Sequence, residues 1–177
     1  MMEEFFTLKD GRIVHIREAR VEDAERLHAF YKVVTTETEF LITKPDEVFT
    51  VSEERALINV YRSTFNRLYL VALSGSSVVA SLKIAGGRRK RVSHSGELSI
   101  AVRRDFWGRG LGRRMMEMGI SWAKGVLKRI ELNVVDNNDR AIRLYESLGF
   151  KLEGVKKRAV RLSDGFHDVY IMALLLD

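Results

Sequence analysis

The stretch Val102-Arg-Arg-Asp-Phe-Trp-Gly-Arg-Gly-Leu-Gly-Arg-Arg114 constrains this chain more than any other. It joins an apolar, strand-like run to an amphipathic helix through Gly108, Gly110 and Gly112, spaced two apart. Glycine reaches positive φ and carries no Cβ, so the backbone can turn sharply there and approach a ligand closely. A helix that opens at the last of these glycines aims unpaired N–H groups and its positive dipole end into the turn. That arrangement suits a phosphate or pyrophosphate, and Arg109, Arg113 and Arg114 add positive charge beside it. The plainer alternative is a tight strand-to-helix turn whose arginines are solvated. Two familiar phosphate loops are excluded. The P-loop needs Lys followed by Ser or Thr after its last Gly, where this chain has Arg113-Arg114, and the dinucleotide fingerprint needs Gly-x-Gly-x-x-Gly, where this chain has Gly-x-Gly-x-Gly.

Charge agrees with an anionic ligand. The 177-residue chain carries a formal net charge of +6, which favours an anionic ligand, an acidic substrate or a nucleic-acid contact without choosing among them. It contains no Cys, so disulfides, thiolate metal sites and a Cys nucleophile are excluded, and the four His show no metal-ligand spacing. No apolar run approaches a membrane span, and the acidic Met1-Met-Glu-Glu start is unlike a signal peptide. The expectation is one domain over residues 1–177, cytoplasmic, with no metal and no membrane partner.

Periodicity lays out the elements. Ile13–Arg17 predicts a first strand, Glu22–Val34 a helix, and residues 35–47, with the only proline at Pro45, a long loop of the kind that carries substrate contacts. Thr50-x-x-Glu53 is a capping box opening a helix to about Arg62. Strands follow over Leu68–Leu73 and Val78–Ile84, joined at Ser74–Ser77, and from about Gly96 to Val102. The Gly112 helix runs to Leu127. Arg129–Val135 is a strand, residues 139–148 are a helix stopped by Gly149, and two strands around Lys151–Leu162 and Phe166–Leu176 close the chain. About seven strands, mostly antiparallel, and about four helices make an α+β protein.

Three residues along this path carry chemistry. Glu97, Ser99 and Ala101 share one strand face and Leu98, Ile100 and Val102 the other. A carboxylate on a strand that leads to an anion site can act as a general base, or it can lie on a solvated face. Asn133 can bond a ligand amide or finish its strand. Tyr145 lies on the apolar face of helix 139–148 with Ala141, Leu144 and Leu148, a setting more often core than catalytic. Its phenol can donate a proton where it reaches a pocket.

Val102–Arg114, followed by Glu131-Leu-Asn-Val-Val-Asp-Asn-Asn-Asp-Arg-Ala-Ile-Arg-Leu-Tyr-Glu-Ser-Leu-Gly-Phe150, resembles the GCN5-related N-acetyltransferase (GNAT) superfamily, with Asn138, Ala141, Tyr145, Gly149 and Phe150 at matching spacing. The ending Asp164–Met172 is similar to the ribosomal-protein and diamine (spermidine) N-acetyltransferase branch. The resemblance implies a mixed, mostly antiparallel central sheet and acetyl transfer from acetyl-CoA to a primary amine, on a protein N-terminus or a polyamine, with no metal. It implies that Arg109, Gly110, Leu111, Gly112, Arg113 and Arg114 hold the CoA pyrophosphate through backbone N–H groups. Ile100, Ala101, Val102 and Arg103 would pair with the pantetheine arm where the strand splays from its neighbour. Asn138 would contact the CoA end of the site, and Asn133 and Tyr145 belong to the implied cofactor set. Tyr145 would sit near the thioester sulfur and protonate the leaving thiolate, and Glu97 would be the base, directly or through water. One departure is Trp107, which stands at the first position of the Gln/Arg-x-x-Gly-x-Gly/Ala motif, so only backbone donors are expected there.

Two charged regions stay open on sequence. Arg88-Arg-Lys-Arg91 reads first as a solvated hairpin tip, with the CoA 3′-phosphate or ribosomal RNA as alternatives. Glu37, Glu39, Asp46 and Glu47 in the long loop suit a cationic amine or mere solvation. Nucleic acid is expected only through a ribosomal substrate. The exposed final strand pair is compatible with a homodimer, and a CoA-binding sensor without catalysis is the competing function class.

Overall fold

The computed structural model describes all residues 1–177. It contains eight strands, β1 (Glu3–Thr7), β2 (Ile13–Glu18), β3 (Arg67–Ser74), β4 (Ser77–Gly86), β5 (Ser95–Val102), β6 (Arg129–Val135), β7 (Lys151–Leu162) and β8 (Gly165–Leu175). The helices are α1 (Ala24–Glu37), α2 (Val51–Ser63), α3 (Leu111–Lys124) and α4 (Asp139–Ser147). All strands join one sheet in the order β1-β2-β3-β4-β5-β6-β8-β7, antiparallel except for β5 against β6. Every expected element is present. The strand β1 was not expected: Glu-Glu-Phe-Phe-Thr shows no alternation, and as an edge strand it has only β2 to pair with. The long loop begins later than read, because α1 continues through Glu37.

Helix ends follow local chemistry. The Thr50 side chain accepts from the Glu53 N–H at 3.2 Å, while Glu53 accepts from the Thr50 N–H at 2.8 Å, completing the capping box of α2. No helix is long and apolar enough to cross a membrane.

The sheet is covered on both faces. On one face α3 and α4 lie over a cluster of 25 buried apolar residues that includes Leu82, Ile84, Leu98, Met115, Met116 and Tyr145. On the other, α1 and α2 cover a cluster of only 12, including Leu27, Phe30, Ile58 and Ala101. The smaller apolar patch leaves room on that face for the polar residues described below. Within α1's end of it, Arg17 clamps Asp23 in two hydrogen bonds of 2.6 and 2.8 Å, both residues buried.

Candidate active site

The pairing of β5 with β6 decides where a ligand can lie. Ser95, Gly96 and Glu97 pair with Arg129, Ile130 and Glu131, and there the pairing stops. Beyond Glu97 the two strands diverge, and the backbone of β5 on that side is left without a strand partner. The Arg103 N–H donates to the Val79 carbonyl at 2.9 Å. Alternation in an antiparallel ladder then turns the backbone groups of Ala101 and Arg103 toward β4, and those of Ile100 and Val102 toward the gap. The Val102 carbonyl is taken by the Trp107 indole N–H at 2.7 Å, so the free groups in the gap are the Ile100 N–H and C=O and the Val102 N–H. Of the four residues expected to pair with an extended ligand, the structure thus offers the backbones of two, Ile100 and Val102.

The gap leads to the start of α3. Gly108 and Gly110 sit at φ +66° and +90°, conformations that only glycine adopts at little cost. A Cβ at either would meet nothing closer than 3.9 Å, so backbone angle and not space requires glycine there. The N–H groups of Gly108, Arg109, Gly110, Leu111, Gly112 and Arg113 donate to no protein acceptor. The Arg114 N–H is already bonded to the Gly110 carbonyl at 3.0 Å, which removes Arg114 from the set of backbone donors.

The arginine side chains are less available than the sequence suggests. Arg109 pairs with Asp10 at 3.2 Å and Arg114 with Glu4 at 2.6 Å, while Arg12 bridges Asp10 and Asp105. The β1–β2 hairpin, absent from the sequence reading, therefore props the loop and neutralises two of its cations. Arg113 has only the Ser147 hydroxyl, at 2.7 Å, and keeps an uncompensated charge. Trp107 is a brace: its indole holds Val102, and the Arg140 guanidinium stacks on its ring at 4.2 Å.

Tyr145 and Glu97 lie on opposite faces of the gap. Tyr145 projects from α4 into the larger cluster, its ring centroid 6.0 Å from that of Phe150. Burial pushes its phenol up to about 12, so it holds its proton at ordinary pH. Its hydroxyl has no protein partner, yet no sealed-off polar atom in the protein lacks one, so the oxygen reaches accessible space. Glu97 points to the α1/α2 face and is exposed; its Oε1 accepts from Asn133 Nδ2 at 3.3 Å. Asn133 in turn accepts from Lys156 at 3.3 Å, so the structure brings Asn133 to Glu97 and not to the α3 loop. The Asn138 side chain, at the start of α4, makes no protein hydrogen bond.

Around Glu97 lies a polar cluster that sequence reasoning missed. Tyr69, Lys83 and Ser99 stand in one row across β3, β4 and β5. The Lys83 ammonium is 5.2 Å from the Tyr31 ring centroid and 5.4 Å from that of Tyr69. Burial works against its charge, but the oxygens of Tyr31 and Tyr61 and the Glu54 carboxylate outweigh it and leave its pKa raised. Tyr69 donates to the buried Glu54 at 2.6 Å, whose own pKa burial pushes up. The available signal was alternation: Ser81 and Lys83 are polar positions in the middle of an otherwise apolar strand.

Of the four acidic residues in and before the long loop, Glu37, Glu39 and Glu47 are occupied, and only Asp46 makes no hydrogen bond or ion pair. Glu37 binds Arg103 Nε at 2.9 Å and the Arg104 N–H at 2.7 Å, and Glu47 caps the Lys44 N–H at 2.9 Å. Glu39 accepts from Ser163 at 2.8 Å, which ties the loop to the β7–β8 tip; the two line a cleft with Thr38, Leu41, Val160 and Leu162. Arg88–Arg91 are exposed at the β4–β5 connection. That connection and the α3 loop lie at opposite ends of β5, seven residue steps or roughly 23 Å apart, so the run cannot assist an anion at the loop.

Comparisons with known proteins bear on what this arrangement does. A family profile described as "Acetyltransferase (GNAT) family" matches residues 27–150. L-amino acid N-acetyltransferase AaaT of Escherichia coli K12 is 35% identical over 108 residues, 59% of this chain and 65% of that protein. The [ribosomal protein bS18]-alanine N-acetyltransferase of Salmonella typhimurium is 41% identical over 78 residues, 43% of this chain and 52% of that protein. In both, the match spans less than two thirds of the relative. A GNAT-family acetyltransferase structure from Streptococcus pneumoniae superposes with TM-score 0.88 at 35% identity, covering 92% of this chain and 99% of that one. The Salmonella typhimurium yncA structure, solved with acetyl-CoA, shares the fold with TM-score 0.81 at 21% identity, covering 93% and 94% of the two chains.

Proposed function

The chain belongs to the acetyltransferase (GNAT) family, and on that premise we propose that it transfers the acetyl group of acetyl-CoA to a primary amine by direct attack in a ternary complex. The observation that carries this reading is the strand gap that ends on six unpartnered backbone N–H groups, with a protonated phenol on one face and a carboxylate on the other. The residues fit the co-substrate. Donors at Gly108–Arg113 suit a pyrophosphate, with Arg113 adding charge, and the free Ile100 and Val102 groups suit the amides of a pantetheine arm.

Acetyl-CoA supplies an activated carbonyl and a thiolate leaving group. The Val102 N–H and the Ile100 C=O orient the arm along β5 from the α3 loop, and the Ile100 N–H, nearer Glu97, polarises the thioester carbonyl as its oxygen gains charge. Glu97, reached from the α1/α2 face, takes the amine proton directly or through one water, freeing the nitrogen lone pair. Tyr145, on the α3/α4 face, donates a hydrogen bond to the departing sulfur as it gains negative charge. Asn133 holds Glu97 in place. Nothing in the sequence offers a Cys nucleophile, in keeping with direct transfer.

The relatives named above act on an amino acid and on a ribosomal-protein alanine, so the acceptors to test are free amino acids, ribosomal-protein N-terminal peptides and polyamines. The test is amine-dependent release of thiol from acetyl-CoA. A rise with at least one amine class supports the reading. Tight acetyl-CoA binding with no amine raising thiol release would instead make the protein a CoA-binding sensor.

A further inference from the structure

We propose that Lys83 docks a carboxylate of the acceptor, and that the acceptor is a free amino acid whose ammonium faces Glu97. This rests on the acetyltransferase reading for its chemistry, but the binding it describes can be measured alone.

Four polar groups with unused capacity converge on the α1/α2 face beside the open edge of β5. Lys83 Nζ has no carboxylate within 4.0 Å, and the Ser99 and Tyr61 hydroxyls take part in no hydrogen bond, whereas Glu97 has one bond, from Asn133. None of them is sealed from solvent without a partner. The oxygens of Tyr31, Tyr61 and Glu54 keep the half-buried ammonium charged, but no carboxylate is paired with it, so it can still dock an anion. The Glu54 carboxylate, which acts on Lys83 through space, is itself committed to Tyr69 at 2.6 Å. The Tyr31 and Tyr69 rings flank the ammonium, holding it in place and screening it from water on two sides.

Placement decides the ligand's shape. Lys83 pairs with Ser99, and Ala85 pairs with Glu97, so Lys83 and Glu97 are diagonal neighbours on one face, with backbones about 7–8 Å apart. They do not pair with each other. A cation and an anion at that spacing, with a hydroxyl between them, complement a small zwitterion whose amine and carboxylate share one carbon. A polyamine would bring a second ammonium toward Lys83 and meet like charge. A peptide N-terminus would present a neutral amide there and leave the ammonium unpaired.

The experiment compares free amino acids with their α-carboxamides, spermidine and a ribosomal-protein N-terminal peptide, on wild type, Lys83→Met and Lys83→Arg. Initial rates are read at saturating acetyl-CoA, and calorimetry on CoA-loaded protein reads binding of each acid and amide without turnover. We expect wild type to favour the acid over its amide by about ten-fold or more in kcat/KM, the worth of one charge-assisted contact. Lys83→Met should bring that ratio to about one, through a raised KM for the acid, and Lys83→Arg should restore part of it. Equal use of acid and amide by wild type, a preference for spermidine or peptide, or a ratio retained in Lys83→Met would overturn the assignment, leaving the transferase reading intact. Absence of turnover with every amine would sink the transferase reading, and the calorimetric acid-to-amide ratio would then decide Lys83 by itself. A variant that does not fold leaves the wild-type ratio and Lys83→Arg to decide.

Discussion

Replacing Tyr145 with Phe separates catalysis from folding more cleanly than any other change in this protein. The hydroxyl has no protein hydrogen bond to lose, and the ring keeps its packing against Phe150. The stability change should therefore stay within about 0.5 kcal/mol, or roughly 1–2 °C in Tm for a chain of this size. The kinetic effect is bounded by the acid's strength. A phenol held at about 12 is a weaker acid than an ordinary thiol near 8.5. It aids departure mainly by hydrogen-bonding the developing thiolate, so kcat should fall by roughly one to three orders of magnitude, at and below the low end of the general-acid range of about two to four orders. Because the phenol stays protonated across ordinary pH, the ratio of wild-type to variant kcat should be flat from pH 6 to about 9. Acetyl-CoA affinity, measured by calorimetry, should change little. The assay is stopped-flow thiol release under single and multiple turnover. An unchanged kcat in Tyr145→Phe, with no burst and hence with chemistry limiting, refutes the role given to this residue.

Other changes test the remaining parts. Glu97→Gln should lose activity chiefly at lower pH, where the amine most needs a base; a pH–rate profile superimposable on wild type would assign the proton to another group or to water. Gly110→Ala, at φ +90°, should weaken acetyl-CoA binding and cost about 1–2 kcal/mol of stability through backbone strain alone, since a Cβ there has room. Asp23→Ala should cost roughly 3–5 kcal/mol in denaturant unfolding, because it strands the buried Arg17. His167 lies between Asp136 at 2.9 Å and Asp164 at 2.7 Å, and those carboxylates, Asp136 first, raise its pKa above 6.5. Its stabilisation is thus fully present below pH 6.5 and lost as pH rises through the raised folded value. The Tm gap between wild type and His167→Asn should shrink as pH rises across that range, and a constant gap would show that charge is not the cause.

Local patterns carried the central elements into view. The capping box at Thr50, the alternation of Glu97–Val102 and the glycines at 108–112 each encode their own geometry within a few residues, and all fell where expected. Features that depend on distant partners did not show. Edge strand β1 has little pattern of its own, so its Glu4 and the turn's Asp10, which neutralise Arg114 and Arg109, could not be anticipated. Glu37 looked like an acidic loop residue because its partners, Arg103 and Arg104, lie far along the chain. Lys83 was hidden for a related reason: only the pairing of β3, β4 and β5 brings Tyr69, Lys83 and Ser99 into one row beside Glu97.

Incubating the protein with acetyl-CoA and a panel of amino acids, polyamines and ribosomal-protein N-terminal peptides, and reading products by mass spectrometry, separates direct transfer to an amine from hydrolysis and from an acetyl-protein route. Direct transfer yields an acetylated amine in one-to-one proportion with free thiol and leaves no acetyl group on the protein. Thiol release without an acetylated amine, or an acetylated protein as an obligatory intermediate, would contradict it.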